Sequence, residues 1–136
     1  MRATIRSAML CVAVSVCAPN AFGMSVEEYA AIEARSANDH FKRFPPNDGA
    51  TVSAKAYPVE RSIVYEFVLA IRSDVTEQEL RVWRSGTRAE IVPSACAHLK
   101  SNPYFRKGFH FVYRYLNRSG RVIDEFPVNR PACEGL

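Results

Sequence analysis

Residues 61–71 read RSIVYEFVLAI, and their alternation decides the fold. Ile63, Tyr65, Phe67, Leu69 and Ile71 fall on one side of an extended chain, and Val64, Glu66, Val68 and Ala70 on the other, because successive strand side chains point to opposite faces. One side is wholly apolar and the other mixed, which is the pattern of a sheet with one face on a core. Just upstream, residues 51–57 (TVSAKAY) set Val52, Ala54 and Ala56 against Ser53 and Lys55, and the PVER of residues 58–61 joins the two as a hairpin. Downstream, residues 109–116 (FHFVYRYL) repeat the pattern. Phe109, Phe111, Tyr113 and Tyr115 form an aromatic side for core packing, and His110, Val112, Arg114 and Leu116 the opposite side. The NRSG of residues 117–120 suits a type I turn with a glycine bulge. Residues 122–128 (VIDEFPV) return as a strand, with Pro127 marking an edge position or the strand's end.

Two helices alternate with these hairpins. Ser25-Val26-Glu27-Glu28 is a capping box, serine at the cap and glutamate three residues on. Val26, Tyr29, Ile32 or Glu33, Ala37, Phe41 and Phe44 then recur at about helical spacing. The helix is expected over residues 26–38, reaching as far as 44 before Pro45-Pro46 stops it. Thr76-Glu77-Gln78-Glu79 opens a second capping box, with Leu80, Trp83, Thr87 and Ile91 as the buried stripe. Pro93 is expected to break or kink this helix, since proline lacks the amide hydrogen and crowds the preceding turn. A continuation over residues 94–99 would carry Cys96, and Asn102-Pro103 opens a last short turn that Gly108 ends. The order α-β-β-α-β-β predicts an α+β fold, with a four-stranded antiparallel sheet and helices packed on one face.

The chain of 136 residues is enough for one domain. At 48% hydrophobic and 24% charged, with eight Phe and six Tyr, it can bury a core and is not expected to be disordered. Residues 1–23 read as a signal peptide. Arg2 and Arg6 precede an uncharged, mostly apolar run of eleven residues, 8–18, well short of the roughly 20 needed to span a bilayer. Small residues at Ala21 and Gly23 place the cut before Met24. Leu10 and Val16 precede Cys11 and Cys17 where a lipidation site would want glycine or alanine. Residues 24–136 then form a single domain without a transmembrane segment. Loss of Arg2 and Arg6 lowers the net charge from +4 to +2, too small an excess for a nucleic-acid binder.

Two cysteines remain, Cys96 and Cys133, and an even count in an oxidising compartment reads as a disulfide. Closing a loop of about 37 residues stabilises a fold by roughly 3–4 kcal/mol on the chain-entropy account. A metal site on Cys96, His98 and Cys133 lacks a fourth ligand, so neither metal nor cofactor is expected. His40, His98 and His110 have no nucleophile and orienting acid at catalytic spacing. Glu27-Glu28 and Glu77/Glu79 belong to helix first turns, where the dipole favours them. Asp124 and Glu125 are strand neighbours and must point to opposite faces, so they cannot act as an acid–base pair. Arginines are the remaining signal. Arg81, Trp83, Arg84 and Arg88 on the second helix, with Arg114, Arg118 and Arg121 of the last hairpin, form a candidate binding patch for an anionic partner.

Between Cys96 and Cys133 the chain runs through Asn102-Pro103, a short basic helix, Gly108, the strand FHFVYRY, a turn at Gly120 and the strand RVIDEFPV. This stretch resembles small exported proteins of Gram-negative bacteria of the quorum-sensing-regulated virulence factor type. The resemblance implies a signal peptide, an α+β fold, a C-terminal disulfide, and a secreted or periplasmic accessory role without a defined reaction. Its motifs are structural, so no catalytic residue carries over. Sequence therefore leads to an exported, non-enzymatic accessory protein, periplasmic or secreted and associated with virulence, that acts by binding another protein. Its alternatives are an immunity-type inhibitor of an exported toxin and a small enzyme acting on envelope material.

Overall fold

The computed structural model describes residues 23–136; the signal-peptide expectation falls on residues that lie, but for Gly23, outside these. Along the chain run α1 (Val26–Arg43), β1 (Thr51–Tyr57), β2 (Ser62–Leu69), α2 (Glu77–Lys100), a 3-10 turn (Phe105–Lys107), β3 (His110–Asn117), β4 (Val122–Val128) and a short α3 (Arg130–Cys133). This is the expected α+β order. Both capping boxes form: Ser25 and Glu28 close the start of α1, and Thr76 and Glu79 the start of α2.

Direction of the central strands corrects the expected antiparallel sheet. In the order β1-β2-β3-β4 the two outer pairs are antiparallel, but β2 and β3 are parallel, with Tyr65 opposite Tyr113 and Phe67 opposite Tyr115. The cause is α2. Its 24 residues span about 36 Å at 1.5 Å per residue, more than the length of an eight-residue strand. Such a crossover returns the chain to the end of the sheet from which β2 set out, so β3 runs the same way. Alternation reports which face a side chain takes and says nothing of strand direction.

A second correction concerns Pro93, which does not break α2. The helix loses only the bond to the carbonyl of Ala89, a residue exposed to solvent, while Ile91 and Ala95 on either side of the proline are buried in the core.

Both helices lie on the aromatic face of the sheet, as expected. Phe41 of α1 meets Tyr65 edge-on at 6.3 Å, and Trp83 of α2 meets Tyr115 at 5.2 Å. Beneath them, Phe67 stacks on Tyr115 at 4.8 Å and Tyr113 on Phe126 at 5.6 Å. Ile63, Tyr65, Phe67, Phe109, Phe111, Tyr113 and Tyr115 are all buried, which makes the aromatic stripe a core rather than a groove. The Cys96–Cys133 disulfide joins α2 to α3 and fixes the C-terminus.

Sheet edges are guarded differently. β4 carries Pro127, which cannot donate to another strand. On β1, the side-chain amide of Asn38 from α1 donates to the Ala54 carbonyl at 2.7 Å and accepts from the Ala54 amide at 2.8 Å. It fills the outward backbone positions at the strand's middle, where a foreign strand would otherwise pair.

Candidate binding surface

The first turns of α2 are fastened to the start of β4. Arg84 donates from Nε to the Ile123 carbonyl at 2.8 Å and from Nη1 to Glu77 Oε1 at 2.7 Å. The hydrogen bond and charge of Arg84, aided by Arg81 and Arg121, hold the Glu77 carboxyl below its usual range. Arg84 thus pairs directly with an exposed carboxylate on which Arg81 and Arg121 act at longer range. Arg118 sits on the tight turn that also carries Arg121. That turn is rigid: Asn117 Oδ1 accepts from the amides of Ser119 and Arg121 at 3.1 and 2.9 Å, and Gly120 takes the left-handed φ of 86° that the bulge requires. Arg81, Arg118 and Arg121 are exposed. Arg118 has no ion-pair or hydrogen-bond partner among the described residues.

The other three members of the sequence-derived patch are placed elsewhere. Arg88 grips both oxygens of Asp124, with its guanidinium 4.9 Å above the Phe126 ring. Asp124 is buried while the Arg88 side chain keeps 48% of its surface in solvent, so Arg88 caps a buried acid from outside. Trp83 is half-buried against Tyr115, and its indole nitrogen is shut off from solvent without a hydrogen-bond partner. Arg114 lies on the opposite face of the sheet, 2.9 Å from Glu125 and 3.6 Å from Glu66. Asp124 and Glu125 do point to opposite faces, as alternation required. That alternation also separates Arg88 from Arg114, because each follows its acid.

Two polar residues escaped the sequence reading. Glu33 is buried in α1, one turn beyond Tyr29. Burial raises its carboxyl to about 7, partly offset by a hydrogen bond from the Tyr29 hydroxyl. Tyr29 in turn accepts from Asn102 at 2.7 Å and stacks on Tyr104 at 4.2 Å. The signal was present in the stripe, where Ile32 and Glu33 competed for one position, and the structure buries Glu33 more deeply. Asn38 was the second, and nothing in its local sequence marks a clamp on a strand 16 residues away.

A groove of about 470 Å³ beside β1 is lined by Phe41, Lys42, Pro45, Pro46 and Val52 among others. The histidines have separate surroundings. His40 lies beside Phe44 and His110 Nδ1 lies 3.0 Å from the Gly108 carbonyl, while burial lowers the His98 imidazole. Among the described residues no three His, Cys, Asp or Glu side chains gather as metal ligands, and no helix is long and apolar enough to cross a membrane. No family model, no curated protein and no solved structure matches the chain.

Proposed function

We propose that this chain is an exported accessory protein, periplasmic or secreted, that works without catalysis by binding another protein and contributes to virulence. The observation that carries this reading is the arginine corner of Arg81, Arg84, Arg118 and Arg121, built on a capped helix and a rigid turn, with Arg84 bonded to the carboxylate of Glu77. Exposed like charge on a rigid support steers and orients a partner of opposite sign. The Cys96–Cys133 disulfide supports an oxidising compartment, in line with the leader-like residues 1–23.

The test is capture in the native host. Residues 24–136 carrying a tag are exported, crosslinked in the periplasm and purified under denaturing conditions. One stoichiometric protein partner is the expected result, and a toxin as that partner would identify an immunity-type inhibitor. A folded, exported protein that captures no protein would overturn the reading in favour of an enzyme acting on envelope material.

A further inference from the structure

Arg84 presents its guanidinium in a fixed attitude. The Nε bond to the Ile123 carbonyl sets the plane, and Nη1 is turned to Glu77. That carboxylate is itself a bound ligand, contributed by the chain. Glu77's side chain keeps 60% of its surface in solvent, against 28% for Arg84, so it can leave for water at little cost while Arg84 stays anchored. Glu77 would still lie in the first turn of α2, where a negative charge is favoured. Arg81 and Arg121 act on the same carboxylate, and Arg118 extends the positive charge along the turn. All four cations are arginines, whose planar forks pair with carboxylates in two-point fashion.

We propose that this corner receives an acidic segment of a partner protein, one of whose carboxylates replaces Glu77 on Arg84. The inference rests on the protein-binding reading above and names the chemistry of the partner. It is favoured over an anionic membrane because binding to a lipid interface draws on exposed aromatic and large apolar side chains. Here the single tryptophan, Trp83, is turned in against Tyr115, and the large apolar side chains exposed next to these arginines in sequence are two valines, Val82 and Val122, with no aromatic ring. Glu77 thereby becomes an internal competitor that sets a threshold for the partner's charge.

The experiment uses isotope-labelled, disulfide-closed residues 24–136 and a dye-labelled synthetic peptide of alternating glutamate and glycine. Amide shifts map the contact, and anisotropy follows binding against salt. Expected are shifts confined to the first turns of α2 and the 117–121 turn, and affinity that falls with salt. Glu77→Gln should tighten binding about three- to tenfold, and Arg118→Glu with Arg121→Glu should weaken it more than about tenfold. The pair Lys42→Glu with Arg43→Glu makes the same charge change at the end of α1 and should have little effect. Equal losses from both pairs would reduce the effect to net charge and overturn the proposal. So would no gain from Glu77→Gln, or binding to phosphatidylglycerol vesicles without binding to the peptide. Folding of each variant is read from its amide spectrum. In the host capture experiment, a partner still crosslinked to the Arg118→Glu, Arg121→Glu chain sinks this site alone. A wild-type chain that captures nothing sinks the binding reading itself.

Discussion

Each half of the aromatic sheet buries one carboxylate, and the two are treated differently. Asp124, under α2, receives a guanidinium: Arg88 binds both of its oxygens and covers Phe126. Glu33, on α1, receives only the hydroxyl of Tyr29, and burial pushes its carboxyl up to about 7. Removing an acid from water costs several kcal/mol if it remains charged. The α2 side meets that cost with a counter-ion, while the α1 side meets it by holding the proton. A third carboxylate, Glu77, stays in water two turns before Arg84 and avoids the cost altogether. The same type of ion pair thus holds a buried acid at Arg88 and a solvent-exposed one at Arg84, four residues apart on one helix.

The sharpest way to break this contrast is to remove the counter-ion. Arg88→Ala leaves Asp124 with only the Glu125 amide as a donor and lets water reach it past the half-exposed arginine site, and unfolding in urea should show a loss of about 1–3 kcal/mol. Asp124→Asn in the same background should recover part of that loss, because the buried charge is then gone. A double mutant no more stable than Arg88→Ala would mean that packing of the arginine over Phe126, and not charge, is what Arg88 contributes.

Glu33 gives the complementary test, through pH. Its folded value of about 7 lies above the ordinary 4.5, so between the two the folded state holds more protons than the unfolded one. Stability from this group is therefore fully present below about pH 4.5 and falls as pH rises to about 7, levelling off above. The full difference is on the order of 2–3 kcal/mol. Glu33→Gln should keep the hydrogen bond with Tyr29, remove this slope, and be more stable than wild type at pH 8 by a similar amount. Equal slopes in the two proteins between pH 4.5 and 8 would show that Glu33 is not protonated in the fold.

These contrasts explain what could be read in advance. Period-two alternation gave the strands and their faces, because burying one face leaves a mark at every second residue. Capping boxes gave the starts of both long helices, since their chemistry is confined to four consecutive residues. The parallel β2–β3 pair was not legible, as direction depends on where α2 delivers the chain. Pro93 misled because the cost of a helix proline can be met by core contacts on either side, which no local pattern displays. The arginine patch was half legible. Residue type marked seven positions, but only tertiary structure shows that Asp124 claims Arg88, that Glu125 and Glu66 claim Arg114, and that Trp83 turns inward. Glu77 entered the sequence reading as an acid of the helix first turn, and its second role as a ligand of Arg84 depends on a contact seven residues along the helix.

A smaller effect is expected at the β1 edge, which divides the α1 half from solvent as Arg88 seals the α2 half. Asn38→Ala removes two hydrogen bonds to Ala54 and should cost about 1–2 kcal/mol. It should also free an outward-facing amide and carbonyl for another chain. Sedimentation would then show concentration-dependent association that wild type lacks. Asn38→Asp would set a carboxylate oxygen against the Ala54 carbonyl and should cost at least as much as Asn38→Ala.

The smallest effect falls on the Arg84–Glu77 pair, whose acid is exposed. Arg84→Ala removes a solvent-exposed bond to Glu77 and a bond to the Ile123 carbonyl. Exposed ion pairs contribute about 0–1 kcal/mol, so the urea midpoint should move far less than for Arg88→Ala. Glu77→Gln should move it less still, since Arg84 keeps its main-chain anchor. Near-equal losses at Arg84 and Arg88 would make both pairs structural and remove the basis for an exchangeable carboxylate. A small loss at Arg84, together with loss of acidic-peptide binding, would separate the two arginines by role: both tie α2 to β4, but only Arg84 also turns a guanidinium nitrogen to an exposed carboxylate that a partner's could replace.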